Sequence, residues 1–228
     1  SLRINNISQQ YLPSVFLCAP SGSGKSMFCT NLGSCPIPSL YWLNTVESQM
    51  QPNYLPFKNH SIVINAAIIA DYRVFKEELC KNEVTEEKLI VDWLNTNAKY
   101  VKFQSVHLLV NLFDNLSKIR RAHHHSGQPC SWLEAQFQVE DFKKGLMTPE
   151  YGLEQLKRIR KELCDIFPDS YPFMAIIDEC SLLTSDRVAH PDILSRDLFH
   201  FTRSLLRLID IVPVITGTDA RASNFCSE

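Results

Sequence analysis

The stretch that decides the fold of this chain is Ala19-Pro-Ser-Gly-Ser-Gly-Lys-Ser26. The apolar run Val15-Phe-Leu-Cys18 before it predicts a strand, and residues 27–32 after it predict a helix. Gly22 and Gly24 lack a Cβ, so the backbone can curl and direct successive N–H groups at one cluster of oxygens. The helix adds the positive end of its dipole at the same point. The sequence therefore predicts a strand–loop–helix unit that binds phosphate.

The residue types in this loop indicate a nucleoside triphosphate with Mg²⁺. Lys25 is expected to reach the β- and γ-phosphates, and the Ser26 hydroxyl is expected to ligate Mg²⁺. Ala19 stands where phosphate-binding loops of this kind more often have glycine. The change is small because alanine is also small. The alternative is a Ser/Gly turn that binds nothing. The candidate nucleotide-binding residues are Ala19, Pro20, Ser21, Gly22, Ser23, Gly24, Lys25, Ser26 and Met27.

A second motif lies far downstream, where Phe173-Met-Ala-Ile-Ile177 is followed by Asp178 and Glu179. A continuous apolar run is typical of a strand that is buried on both faces of a parallel sheet. Carboxylates at its C-terminal end lie where open α/β sheets bind ligands. The motif resembles a Walker B element, in which Asp178 holds Mg²⁺ through its water shell and Glu179 orients and deprotonates the attacking water. The alternative is a pair of acids at an ordinary strand end.

A third run, Val212-Pro-Val-Ile-Thr-Gly-Thr-Asp219, is β-branched and ends in small polar residues. It predicts another strand of the same sheet. Pro213 removes a donor from the ladder, so the strand is expected to start effectively at that residue. The alternative is an ordinary strand that runs into a turn.

Composition excludes several classes of protein. The 228 residues are 45% hydrophobic and 21% charged, which is ordinary for one globular domain. A net charge of −2 and a pI of about 6.4 do not indicate nucleic-acid binding. Eight cysteines stand singly, without CxxC spacing, and predict reduced thiols in an intracellular protein of the cytoplasm or nucleus. No apolar run approaches the roughly 20 residues that span a membrane.

The rest of the chain predicts further strands and helices. Leu40-Tyr-Trp-Leu43 predicts a second strand, and Ser61-Ile-Val-Ile-Asn65 is a candidate for another. Helical spacing of apolar residues recurs over 103–121, 149–166 and 194–208, and the second of these segments starts at Thr148-Pro149. His123-His124-His125 is expected in a polar loop, with metal or phosphate binding as the alternative.

These elements predict an α/β fold, a three-layer αβα sandwich with a mainly parallel sheet. The domain would cover residues 1–228 and would be incomplete at its C-terminus. Residues 66–147 exceed what a minimal core needs between its second and third strands, and they predict a helical insertion within it. Insertions of this kind commonly carry partner or substrate contacts.

Together the loop, the Asp178-Glu179 pair and the downstream Gly217-Thr-Asp219 turn resemble P-loop NTPases of the additional-strand, catalytic-glutamate division, which includes AAA+ and STAND-like proteins. Two further stretches resemble the NTPase modules of crinkler effectors and retrotransposon-hot-spot proteins. These stretches are Ile215-Thr-Gly-Thr-Asp-Ala-Arg221 and Pro129-Cys-Ser-Trp-Leu-Glu-Ala-Gln136.

The resemblance implies additional roles and partners. A strand beside the Walker B strand ends in a polar sensor of the γ-phosphate, for which Thr216, Thr218 and Asp219 qualify and Thr218 is the first choice. The family takes its arginine finger from a neighbouring subunit or from a later segment, which implies a homo-oligomer, with Arg203 and Arg221 as other candidates. The narrower family implies a downstream nuclease-like or effector domain and action in the nucleus of a host cell.

We therefore expect an ATPase that binds and hydrolyses Mg-ATP, with Lys25, Glu179 and Thr218 as catalytic residues and Ser26 and Asp178 as metal ligands. Adjacent positions on a strand alternate between faces, so Asp178 and Glu179 are expected to have separable roles. Two alternatives remain open. One is a nucleotide-gated switch or scaffold with negligible hydrolysis, and the other is a P-loop kinase.

Overall fold

The fold is built on a four-stranded sheet. The computed structural model describes residues 14–18, 23–32, 37–45, 55–84, 87–140, 143–167, 172–180, 183 and 195–217. All pairings are parallel, and the strand order is β1-β4-β3-β2. The strands are β1 (Val15–Cys18), β2 (Ser39–Leu43), β3 (Phe173–Asp178) and β4 (Ile211–Gly217).

Helices connect the strands, as parallel pairing requires. A 3₁₀ turn, Ala98–Tyr100, follows the third helix. None of the helices in the described residues is long and apolar enough to cross a membrane. The helices are α1 (Lys25–Leu32), α2 (Leu55–Lys81), α3 (Glu87–Asn97), α4 (Gln104–His125), α5 (Trp132–Phe137), α6 (Pro149–Cys164) and α7 (Ser195–Leu208).

Both faces of the sheet are covered. Strand alternation sends Trp42 into a large core that α2, α4, α6 and α7 share. The neighbouring Tyr41 points the other way, into a smaller core that includes Cys29 of α1 and Leu133 of α5. The chain therefore has the α/β architecture with a parallel sheet that its continuous apolar strands predict.

The outer edge of β2 is closed by side chains. The amide of Gln136 in α5 pairs with both backbone groups of Tyr41, at 2.9 Å from the Tyr41 N–H and 2.8 Å to its carbonyl. Two residues later, the Leu43 N–H donates to Ser61 Oγ at 2.9 Å, and Asn65 Nδ2 donates to the Leu43 carbonyl at 3.0 Å. These bonds replace the ladder that another strand would supply, so this edge is protected from strand addition.

Tertiary contacts also complete the helix ends. The first backbone N–H groups of α4 have no cap from their own helix, and the buried Asp71 of α2 accepts from the N–H groups of Gln104 at 2.8 Å and Ser105 at 2.7 Å. At α6, Thr148 accepts from Tyr151 N at 3.3 Å. The helix start predicted from Thr148-Pro149 is confirmed.

Three predictions of secondary structure are wrong: two concern residues that lie in helices, and one concerns the start of β4. Residues 61–65 are not a strand but lie within α2, because an apolar run this short does not distinguish strand from helix. His123, His124 and His125 form the last turn of α4 rather than a loop, and the Ser126 N–H then bonds back to the Ala122 carbonyl.

Pro213 does not start its strand, because Ile211 and Val212 already pair with β3. Pairing with β1 begins at Val214, one residue after Pro213. The proline therefore lies just before the part of β4 that has neighbours on both sides, where a missing donor is tolerated.

The described residues between 66 and 147 are mainly helical, and none of them forms a strand of the sheet. One isolated antiparallel bridge joins Phe103 to Met147. The segment packs on the sheet through α4, where the Phe113 ring lies 4.6 Å from that of Phe173 in β3. That this segment is an insertion into a smaller core stays a prediction.

Candidate active site

The candidate site lies at the carboxyl edge of the sheet, where parallel strands end together. In the register, Gly217 of β4 lies opposite Cys18, the last residue of β1. Asp178, the last residue of β3, lies opposite Leu43, the last residue of β2. Residues that follow or end these strands are thus brought together from positions far apart in the chain.

Asp178 is the buried centre of this edge, with 1% of its surface exposed. Its Oδ1 accepts from the Thr216 hydroxyl and, at 3.0 Å, from the Glu179 N–H, while its Oδ2 accepts from the Tyr41 hydroxyl. A carboxylate has about four acceptor positions. Within the described residues three are filled, and the remaining one is on Oδ2.

Tyr41 reaches Asp178 because of the register between β2 and β3. Tyr41 lies opposite Ile176, and Asp178 is two residues further along on the same face. Such diagonal neighbours are about 7–8 Å apart, within reach of an aromatic side chain. The Phe57 ring packs 4.7 Å from the Tyr41 ring and holds it in this direction.

The side of α1 that faces the sheet contacts the same cluster. Burial, followed by the negative charge of Asp178, raises the pKa of the Cys29 thiol to about 12, although a hydrogen bond with Thr216 opposes the shift. Cys29 is therefore a neutral thiol at physiological pH. It anchors the helix that follows the glycine-rich loop against the ends of β3 and β4.

Glu179 directly follows the strand, and its backbone is left-handed, with φ of 54°. This conformation is uncommon for a residue other than glycine, and it is often found at functional sites. Because β3 ends at Asp178, strand alternation no longer sets the direction of the Glu179 side chain. Glu179 is exposed to solvent. Loss of solvation and then the charge of Asp178 raise its pKa, and the Lys25 ammonium opposes this shift.

The described part of the glycine-rich loop is exposed. Gly24 has φ of +84°, and a Cβ added there would meet no described residue within 4 Å. The Phe28 N–H donates to the Gly24 carbonyl at 2.9 Å, so the helix starts immediately after the loop. Lys25 Nζ lies 3.5 Å from Ser23 Oγ. The open space beside Gly24 fits the close approach of a phosphate group.

Ser26 and Met27 form the first turn of α1, whose N–H groups have no partner within the helix. Ser26 is half-buried, and in the described part of the chain it does not hydrogen-bond to Asp178. The Met27 side chain is 70% exposed, so only its backbone N–H suits an anion. The two predicted metal ligands therefore lie on separate elements, α1 and β3, with no hydrogen bond between them among the described residues.

Several predicted residues fall outside the described residues. These are Ala19, Pro20, Ser21 and Gly22 of the loop, together with Thr218, Asp219 and Arg221 after β4. Arg203 lies on α7, where its guanidinium is 5.9 Å from the Phe199 ring.

Among the described residues no group of three or more His, Cys, Asp or Glu side chains could hold a metal ion. Mg²⁺ is commonly bound by one or two protein groups, with phosphate and water as the other ligands. Ser26 and Asp178 fit that donor set.

Sequence reasoning missed Tyr41 and Asn44. The buried Asn44 joins the end of β2 to the chain after β3, since its N–H donates to the Asp178 carbonyl at 2.8 Å and its Oδ1 accepts from Leu183 N at 3.1 Å. Its position directly after an apolar strand was a usable signal. Tyr41 had none, because its role depends on which strand lies beside β2.

Comparisons with known proteins leave the geometry as the basis for assigning a function. A scan of protein-family models, a search of curated proteins and a search of solved structures found no match for this chain.

Proposed function

We propose that this chain is a P-loop ATPase module that binds and hydrolyses Mg-ATP. One observation carries the proposal: a single sheet edge brings together an exposed loop–helix junction, a buried carboxylate and a second carboxylate whose pKa responds to the loop lysine. These groups are Lys25, Asp178 and Glu179. An anion site, a metal ligand and a base in one place are the parts that phosphoryl transfer to water requires.

The strand order supports the same class. β4 lies between the loop strand β1 and the acidic strand β3. The sequence resembles the additional-strand division of P-loop NTPases. In that division, a strand next to the acidic strand ends in a polar residue that senses the γ-phosphate. Thr216 is such a residue within β4, and Thr218 stays the first choice for direct contact with the γ-phosphate.

The residues divide the work by their chemistry. Lys25 and the N–H groups at the start of α1 would bind the β- and γ-phosphates. Bound Mg²⁺ would neutralise charge that develops on the phosphate oxygens. Ser26 supplies a hydroxyl ligand, and the single remaining acceptor position on Asp178 Oδ2 fits one metal-bound water.

Glu179 suits the role of base. A carboxylate with a raised pKa is a better proton acceptor than an ordinary one. Its exposure leaves it accessible to a water molecule, and the nearby Lys25 ammonium favours its charged form.

The decisive experiment measures ATP binding and phosphate release without an added acceptor. Wild-type protein, Lys25→Ala and Glu179→Gln are compared, with the exposed Lys102→Ala as a matched control for loss of a lysine. We expect Lys25→Ala to lose binding, Glu179→Gln to keep binding but lose turnover, and Lys102→Ala to match wild type. No ATP binding by the wild-type protein would refute the proposal.

The same assay separates the alternatives. Tight binding with no phosphate release, alone or after assembly, would indicate a nucleotide-gated switch. Release that depends on a small-molecule acceptor would indicate a kinase. Our proposal includes a partner or effector domain coupled to the module, and a second copy of the chain that supplies an arginine. A rise in turnover per protein molecule with increasing protein concentration would support the contribution of a second copy.

A further inference from the structure

The Gln136 side chain makes the two hydrogen bonds to the Tyr41 backbone that a neighbouring strand would otherwise make. Gln136 is fully buried, and its Oε1 accepts from the Tyr41 N–H while its Nε2 donates to the Tyr41 carbonyl. The orientation of this amide is fixed by His60, whose Nδ1 lies 3.5 Å from Gln136 Nε2 and whose Nε2 bonds to the Val139 carbonyl at 3.0 Å. Both backbone groups of Tyr41 are thus held from α5.

The Tyr41 side chain carries this constraint to the candidate site. Its backbone is held by Gln136, its ring packs against Phe57, and its hydroxyl donates to Asp178 Oδ2. The Thr216 hydroxyl donates to the other oxygen. With a donor on each oxygen, the carboxyl group of Asp178 cannot rotate freely, and the open acceptor position on Oδ2 has a set direction.

We propose that Tyr41 and Gln136 are positioning residues for the metal site: Gln136 fixes Tyr41, and the Tyr41 hydroxyl aims the open acceptor position of Asp178 at the water shell of Mg²⁺. This inference rests on the proposed function, because it needs Asp178 to serve a metal. It also gives a role to Gln136, the last residue of the stretch 129–136, beyond closing a sheet edge.

The chain offers a matched control for the structural role of Gln136. Ser61 holds the Leu43 N–H at the same edge of β2, at 2.9 Å, and among the described residues it makes no hydrogen bond to Tyr41 or Asp178. Gln136→Met and Ser61→Ala therefore both remove an edge bond, and only the first weakens the hold on Tyr41. Tyr41→Phe removes the hydroxyl alone and keeps the ring in the core.

The test measures the Mg²⁺ concentration that gives half-maximal ATP binding. We expect Tyr41→Phe to raise it about tenfold, the lower end for one hydrogen bond to a charged group. Gln136→Met should raise it about threefold, and Ser61→Ala by less than about twofold. In the Tyr41→Phe background, Gln136→Met should add nothing, because the relay is already broken.

A second readout needs no nucleotide. The ¹³C signal of the Asp178 carboxyl carbon, assigned by its loss in Asp178→Asn, should shift in Tyr41→Phe and in Gln136→Met but not in Ser61→Ala. A general loss of stability would not give this pattern.

The two readouts separate the possible failures. An unchanged Mg²⁺ requirement in Tyr41→Phe, with ATP binding intact, would overturn the positioning role and leave the proposed function standing. An unshifted carboxyl signal in Tyr41→Phe would overturn the relay itself. No Mg-ATP binding by the wild-type protein would reject the proposed function and the metal-positioning role together, whatever the carboxyl signal shows.

Discussion

The two halves of the candidate site differ in how completely the protein builds them. The half formed by β2, β3 and β4 is buried, and each oxygen of Asp178 is held by a hydroxyl from a neighbouring strand. The half formed by the loop and the start of α1 is exposed at Ser23, Gly24 and Met27. The groups proposed to interact with a metal are thus fixed in advance, whereas the groups proposed to bind phosphate are left open.

Because one half is buried and the other is exposed, substitutions in the two halves should change different properties. A change in the open half removes contacts made to the nucleotide, so binding or turnover should fall while stability stays nearly constant. A change in the buried half breaks bonds within the protein, so stability should fall together with binding. The predictions below test this contrast.

The largest effect is expected for Glu179→Gln. The amide keeps the shape and hydrogen-bonding of the side chain but cannot accept a proton, so turnover should fall by roughly 10²–10⁴-fold. ATP affinity should be retained, which equilibrium binding and phosphate release together would show. Parental hydrolysis rates in this variant would remove Glu179 as the base.

The next largest effect is expected for Lys25→Ala. The loss of a charged donor should weaken Mg-ATP binding by at least about 100-fold, so that binding is lost in the assay. Unfolding free energy should change by less than about 0.5 kcal/mol, as is usual for a substitution outside the core. A drop in stability as large as that of a core variant would break the contrast between the halves. Lys25→Arg should also bind poorly, because a planar fork does not replace a compact ammonium.

Asp178→Asn tests the buried half. An amide nitrogen cannot accept from Tyr41 or Thr216, so we expect a loss of about 1–3 kcal/mol in unfolding free energy, together with weaker Mg-ATP binding. Denaturant unfolding of nucleotide-free protein measures the first effect. A variant as stable as wild type would mean that the hydroxyl bonds to this carboxylate are not stabilising.

The smallest effect concerns pH. Burial lowers the pKa of His60 below its usual 6.5, so the unfolded chain binds more protons than the folded chain just below that pH. Stability should therefore fall as the pH drops through 6.5, and His60→Gln should reduce this slope. Burial also lowers the pKa of His107. His107→Asn therefore provides a matched comparison for the pH dependence of stability. An unchanged slope in His60→Gln would contradict the assignment.

Local pattern was enough to predict all four strands of the sheet and the start of α6. It also predicted the two adjacent acids at a strand end. A fully apolar run such as that of β3 has one stable environment, the interior of a parallel sheet, and Pro149 after Thr148 has one common use, the first turn of a helix. These signals depend only on neighbours in the sequence.

The same pattern failed where two structures share one local signature. Residues 61–65 form a short β-branched run typical of a strand but lie in α2, since helix or strand there depends on packing against β2. The extent of α4 past Arg121 was also not predictable, because its last turn is completed by contacts such as His123 Nε2 to Gln138 Oε1 at 3.2 Å.

By itself, the sequence determined the chemical inventory: a glycine-rich loop with Lys25 and Ser26, and carboxylates at 178 and 179. The tertiary structure alone decided that Tyr41 and Thr216 hold Asp178, and that Gln136 in turn holds Tyr41. These partners are separated by 38 to 137 residues along the chain. Tyr41 and Thr216 both reach Asp178 because β3 lies between β2 and β4, and Gln136 reaches Tyr41 because α5 packs against the outer edge of β2. Strand order is set by how whole faces pack together, which no local pattern encodes.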